Sequence, residues 1–246
     1  MFHIFSKKKF LIDYLDGYVD MHNHILPGID DGAKTVEDSI ALLKGFSEFG
    51  VTKFIATPHI MHNYYPNNSM TINCSLAILQ NELKKSNLCD FSIRIAAEHM
   101  IDSNFEDVLT ANEIMPLNEN HLLVEMSYLQ ASINFDDAII KVASKGYFPI
   151  LAHPERYGFL HNRIRKHEEY KQQGILYQMN LLSLGDFYGK EVNKTALKLL
   201  DAGLINFIAS DVHNLRQLNS LKNITVSKKT IDQIIPIINN TIDVFY

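Results

Sequence analysis

The chain has 246 residues, 46% of them hydrophobic and 21% charged, with a formal net charge of −5 at pH 7. This is the composition of an ordinary globular protein with enough apolar material for one full core. The acidic balance excludes a generic nucleic-acid binder, whose phosphate contacts call for a basic surface, and the two cysteines, Cys74 and Cys89, are too few for a disulfide framework.

At the start, Met1 to Lys9 places charge after a very short apolar run, the reverse of a secretory leader. No stretch approaches the roughly 20 apolar residues of a spanning helix. A cytoplasmic location is therefore expected, and Lys7-Lys8-Lys9 reads as a solvated face rather than a membrane contact.

The first strand opens at Val19-Asp20-Met21-His22. A helix follows over about 35–49, with Thr35 and Asp38 spaced as a capping box and Gly50 as its stop. Strand 53–59 ends in His59. A helix near 69–85 leads to strand 91–98, which ends in Glu98. Strand 122–125 ends in Glu125 and precedes a helix over about 135–145, stopped by Gly146. Strand 148–153 ends in His153. A charged helical stretch from Arg163 leads to strand 175–180. A helix ending near Gly203 leads to strand 205–211, which ends in Asp211. Seven strands separated mostly by helices predict a parallel sheet with crossover helices. About 250 residues is the usual size of a single α/β barrel.

A closed or nearly closed barrel is favoured by where the polar residues fall. His22, His24, His59, Glu98, Glu125, His153, Asp211 and His213 all stand at or just beyond the C-terminal ends of strands. In a parallel barrel those ends converge on the face where active sites are built. Any one of these residues could be a capping or surface group. Six strands ending this way by accident is improbable, because clustered charges are costly without a partner. His22 and His24 alternate on a strand and project to one side, as do Asp211 and His213. Either Asp30 or Asp31, in the glycine-bounded loop Gly28 to Gly32, could reach the same rim. Imidazole and carboxylate without thiolate suit Mn, Fe, Zn, Co or Ni. Nine donors are too many for one ion and suit two or three.

The same residues carry a resemblance. His22-Asn23-His24, the Asp30-Asp31-Gly32 loop, Thr57-Pro58-His59, Glu98, Glu125, His153 to Arg156 and Ser210 to His213 resemble the PHP (polymerase and histidinol phosphatase) superfamily. The stretches His24 to Ala33 and Ala209 to Leu215 are similar to its manganese-dependent protein-tyrosine phosphatases of capsule and exopolysaccharide clusters. The resemblance runs from about Tyr18 to Leu215. It implies a single-domain distorted TIM-like (β/α)7 barrel over 18–246, preceded by an N-terminal extension over 1–17.

It further implies a trinuclear site. One metal would take His22, His24, Glu98 and Asp211, and a second would share Glu98 and add Glu125 and His153. The third would take Asp31, His59 and His213, which selects Asp31 over Asp30. Arg156 matches the family's phosphate-gripping arginine and is the expected catalytic, substrate-binding residue. The second arginine of the family has no counterpart at the same spacing, and Arg216 is the nearest substitute.

Four carboxylates against three divalent cations leave a local excess of about +2, which would draw a dianionic phosphomonoester into the cup. The substrate implied is phosphotyrosine in a protein, by resemblance the tail of a bacterial tyrosine kinase. Cysteine-based phosphotyrosine chemistry is closed, since the sixth residue after Cys74 is Gln80 and after Cys89 is Ile95, where it needs arginine. Histidinol-phosphate hydrolysis, another phosphoesterase activity of the superfamily and a non-catalytic metal scaffold are the competing readings. His62 and the pair Tyr64-Tyr65, on the loop after His59, are candidate substrate contacts.

Overall fold

The computed structural model of the protein describes residues 9–246. The expected extension therefore lies outside the described residues up to position 8, as do Lys7 and Lys8. From Lys9 onward the chain is docked. Strand β1 (Lys9–Phe10) pairs antiparallel with Thr225–Val226, and Leu11 and Leu15 are fully buried in the main core.

The barrel strands follow in order. They are β2 (Val19–Asp20), β3 (Lys53–Ala56), β4 (His59–Ile60), β5 (Ser92–Ile95), β6 (Glu98–Met100), β7 (His121–Glu125), β8 (Phe148–Ala152), β9 (Leu176–Asn180) and β10 (Phe207–Ala209). Thr225–Val226 is β11. All the barrel pairings are parallel, in two ladders: β2-β3-β5, and β4-β6-β7-β8-β9-β10. The expected second and third strands are each split. β3 stops at Thr57-Pro58 and resumes as β4, because proline has no N–H to donate to a ladder. β5 stops at Ala96-Ala97 and resumes as β6. Seven staves result, as expected.

Between the first and last staves, single hydrogen bonds replace a ladder. Asp211 N donates to His22 O (2.8 Å) and His24 N to Val212 O (3.1 Å). The buried Asp20 carboxylate accepts from both Ser210 N (2.9 Å) and Ser210 Oγ (2.5 Å). Tyr18 donates its hydroxyl to Ile208 O.

The helices are α1 (Val36–Ser47), α2 (Ser69–Lys85), α3 (Phe105–Thr110), α4 (Phe135–Ser144), α5 (Ile164–Gln172), α6 (Lys190–Asp201), α7 (Leu215–Lys222) and α8 (Lys228–Phe245). The capping box at α1 forms as spaced: Thr35 Oγ1 accepts from Asp38 N, and Asp38 Oδ2 accepts from Thr35 N. Alternation along the strands sorts the apolar residues into two layers. One face of each strand packs under the helices in the larger cluster. The other fills the barrel interior with Val19, Met21, Ile55, Leu123, Ile150 and Phe207.

The C-terminal helix α8 carries no recognisable motif, yet it closes the end of the barrel opposite the cup. Phe245 is buried in the interior cluster, its ring against Phe207 and His121. Arg94 grips that end by donating to Phe245 O (2.7 Å) and Leu117 O (2.8 Å). Phe245→Ala is expected to cost about 3–5 kcal/mol, seen as a lowered urea midpoint with an unchanged slope. A loss under about 1 kcal/mol would show that α8 is not part of the barrel's core.

Candidate metal centre

The site is built outward from the first stave. His22 and His24 project together, their Nε2 atoms 3.4 Å apart. The loop after them folds back tightly, with Gly28 at φ +72° and Gly32 against His24, where a Cβ would lie 2.2 Å from His24 O. Only glycine fits there. This fold-back uses both acidic residues of the loop. Asp30 lies behind the site and accepts from His24 Nδ1 at 2.7 Å. Asp31 lies in front, its Oδ1 3.3 Å from His59 Nε2 and 3.5 Å from His213 Nε2.

All nine expected donors meet at the cup, and three groups of them bring ligand atoms within 4.8 Å of one another. His22, His24, Glu98 and Asp211 form one, the same four that the resemblance implied. His59, His213 and Asp31 form another, joined by His24. In the third, Glu98 and Glu125 meet His59 in place of His153. His153 lies alongside, its Nε2 2.9 Å from Glu98 Oε1. His153 and Asp211 both hold left-handed backbone, φ 36° and 51°, a cost of order 1–3 kcal/mol each that such sites typically carry.

The donors fit a cation. His59 Nδ1, Glu98 Oε2 and Glu125 Oε1 are buried with no hydrogen-bond partner. Yet His59 Nδ1 lies 3.0 Å from Glu98 Oε2 and 2.9 Å from Glu125 Oε1. Buried polar atoms are ordinarily paired. Three orphans converging at this spacing are what a divalent ion with nitrogen and oxygen ligands would satisfy.

The interleaved charges shift one another's titration. Burial alone would depress the His24 and His59 imidazoles, but the charge of Asp30 on one and of Glu125 and Glu98 on the other hold both well above the ordinary histidine range. Burial would raise Glu98 and Asp211, yet His22 with His59, and His22 with His213, keep them well below the usual carboxylate range. Burial and the charge of Glu98 push Glu125 up.

Arg156 stands at the edge of the cup, where Nη1 donates to Asp211 Oδ2 at 2.6 Å. Its guanidinium is sandwiched between the Tyr128 and Tyr188 rings, 4.5 and 4.2 Å from their centroids. The cleft beside it, about 610 Å³, takes in Asp31, His59, Asp211 and His213 and also His62, Tyr64 and Tyr65. Arg216 is not brought there. It is exposed one residue into α7 and lies over Phe187 in a neighbouring groove. One residue of helix is about 100° of rotation, so Gln217 faces the cleft and Arg216 does not.

Other polar residues around the site were not anticipated. Gln178 and Asn180 end the sixth stave, buried behind His22 and Asp211. Their signal was alternation of two polar residues at the end of a strand that supplied no metal-type side chain. Tyr128, three residues past Glu125, had no signal beyond proximity, and Tyr188 had none. His99, outside the cup, serves the fold. Pushed down to about 4 by burial, it accepts from Met115 N at 3.2 Å.

Comparison with known proteins gives the family. Residues 18–233 match the family model described as capsular polysaccharide synthesis, CpsB/CapC. A putative tyrosine-protein phosphatase CapC of Staphylococcus aureus is 34% identical over 200 residues, 80% of this chain and 77% of that one. The tyrosine-protein phosphatase YwqE of Bacillus subtilis is 29% identical, over 82% of this chain and 79% of its own. A crystal structure of metal-dependent tyrosine phosphatases, YwqE from Bacillus subtilis and CpsB from Streptococcus pneumoniae, matches with TM-score 0.75 at 26% identity. It covers 90% of this chain and 94% of that one.

Cations that bind only the folded cup should stabilise it by mass action, by about 2.7 kcal/mol at a concentration of 100 Kd. Chelation should therefore lower the melting temperature of the native protein and barely move that of a His22→Ala, Asp211→Ala double variant. Protons on the histidines must leave before a cation enters, so the stabilisation should shrink as pH falls from 8 to 6. Equal chelation shifts in the two proteins would place the effect elsewhere.

Proposed function

The chain belongs to the CpsB/CapC family of capsular polysaccharide synthesis, and from that membership we propose that it is a metal-dependent protein-tyrosine phosphatase whose centre is the nine-residue cup. The observation that carries the reading is the convergence of those donors, three of their buried atoms unpaired, beside a preorganised arginine. The catalytic domain spans residues 18–246, and 1–17 is its N-terminal extension.

His22, His24, Glu98 and Asp211 would hold one cation. Glu98 would share a second with Glu125 and His153, and Asp31, His59 and His213 would hold a third. The short distances from His59 to Glu98 and Glu125 and from His24 to Asp31's group support sharing between neighbours. Manganese is the proposed metal, from the resemblance and the donor chemistry. When bound, the cations supply positive charge to phosphate oxygens and acidify a water enough to attack phosphorus.

The chain's own groups supply the rest. Arg156, fixed by two rings and by Asp211, presents N–H donors to a non-bridging phosphate oxygen and takes charge as the transition state develops. Attack forms one P–O bond and breaks the bond to the tyrosine oxygen. The phenolate leaves and takes a proton from solvent. Phenol has a pKa of about 10, so no dedicated general acid is required. Tyr64 and Tyr65 wall an open cleft that accepts a side chain presented on a flexible segment. The physiological target is a phosphotyrosine protein, by resemblance the tail of a bacterial tyrosine kinase of polysaccharide assembly. A cytoplasmic site of action is part of the proposal; among the described residues no helix is long and apolar enough to cross a membrane.

Arg156→Ala should retain bound metal, because Asn180 still holds Asp211 Oδ2 at 2.6 Å. It should lose about 2–4 kcal/mol of transition-state stabilisation. Lysine should restore only part, having the charge without the planar fork. Metal loss or unfolding in Arg156→Ala would make the residue structural.

With manganese supplied, kcat/KM on a phosphotyrosine peptide should far exceed that on histidinol phosphate or phosphoserine. A tenfold preference for histidinol phosphate, about 1.4 kcal/mol, would move the substrate assignment and leave the cup in place.

A further inference from the structure

Behind the cup runs a closed chain of hydrogen bonds in which every donor and acceptor is dictated by its far end. Asp211 Oδ2, a carboxylate oxygen, can only accept. Asn180 lies 2.6 Å from it and must turn its NH2 toward it, since the opposite orientation would press two oxygens together. The Asn180 carbonyl then faces Gln178, which must present its own NH2 (2.9 Å). The Gln178 carbonyl in turn faces His22 Nδ1 at 2.8 Å. An amide oxygen cannot donate, so His22 Nδ1 must carry the proton. In the neutral ring that a cation requires, His22 Nε2 then keeps the lone pair and aims it into the cup, 3.2 Å from Glu98 Oε2 and 3.4 Å from Asp211 Oδ1. All four side chains are buried.

We propose that Gln178 and Asn180 are positioning residues that lock His22 in its Nδ1–H tautomer and Asp211 in its ligating rotamer, so that one neutral relay preorganises both ends of a single cation site. The relay works at both ends. At one it selects which ring nitrogen is free for a cation. At the other it occupies Asp211 Oδ2 together with Arg156, leaving Oδ1 for the cup. Neutral amides do this without adding a further negative charge to a site already holding four carboxylates. The backbone beneath is anchored separately: Asn180 N donates to Glu155 Oε1 at 2.9 Å, and Ser183 Oγ to the same oxygen at 2.6 Å. The relay can thus be cut at the side chains while the strand end stays tied.

This inference rests on the reading that the cup binds divalent cations, and the test separates the two. Affinity for Mn2+ alone is measured by calorimetry, and the His22 tautomer by nitrogen-15 NMR of the Zn2+-loaded protein. The native protein should bind and show His22 as Nδ1–H. Gln178→Leu and Asn180→Leu should each weaken Mn2+ binding by about 10–100-fold, and the double variant should lose less than the two singles combined, because each already breaks the shared Gln178–Asn180 bond. Gln178→Glu, close to isosteric, should keep the Nδ1–H signal while weakening Mn2+ binding, since it still accepts from His22 but no longer donates to Asn180. That variant decides the matter if the leucine variants fail to fold, as judged by melting without metal. Native affinity and tautomer in all the variants, or losses that add in the double, would overturn the relay. Absence of Mn2+ binding in the native protein would instead overturn the cation reading.

Discussion

Four carboxylates, those of Asp31, Glu98, Glu125 and Asp211, meet at the rim of this barrel, three of them in places that water hardly reaches. Charges so placed repel with little screening, and burying them is costly unless each finds a counter-charge. Much of the surrounding architecture follows from that constraint. Five imidazoles are interleaved with the carboxylates, and the carboxylate charges favour the protonated form of three of them, His22, His24 and His59. The glycine-bounded loop brings in Asp31 while keeping Asp30 behind His24 as its hydrogen-bond acceptor. Two residues, His153 and Asp211, are held in left-handed backbone at the ends of their staves, and the rigid strands beneath keep them there.

Arg156 shows how the same electrostatics extend toward substrate. It is one half of an ion pair with Asp211 and also the filling of a two-ring sandwich. A guanidinium fixed in this way loses little freedom when a phosphate arrives. The partner carboxylate is also tied by Asn180, so metal-type and phosphate-type residues share one oxygen. Changes at the arginine and at the amide relay should therefore be read as coupled.

Much of this was legible in the sequence because of where chemistry sits on a strand. An apolar run ending in His59, Glu98, Glu125 or His153 is informative: the run says where the strand is, and the ending says which rim it reaches. What escaped had weaker local signals. Gln178 and Asn180 are neutral amides, and at the end of a strand such residues look the same whether they face solvent or a buried histidine. Arg216 could be placed near the site by spacing but not oriented, since a single residue of helix turned it to the next groove. Helix α8, with Pro236 in its interior, lies in a stretch that carries no motif. Its role depends on Phe245 entering a barrel whose open end no local pattern reveals. The splitting of the second stave was foreshadowed by Pro58, whereas the split at Ala96-Ala97 had no comparable mark.

The junction of the first and last staves has a consequence for the order in which this protein can mature. Asp20 and Ser210, like His22 and Asp211, come from opposite ends of the barrel sequence, 190 positions apart for the first pair. Contacts so distant along the chain form slowly, because loop-closure entropy is lost before they can compensate it. On a ribosome, the N-terminal histidines emerge long before Asp211 and His213 exist to join them. A site that needs both groups can therefore be completed only after Asp211 and His213 have been made. Whatever such a site selects is selected only once the last stave has closed on the first, by a barrel already largely assembled.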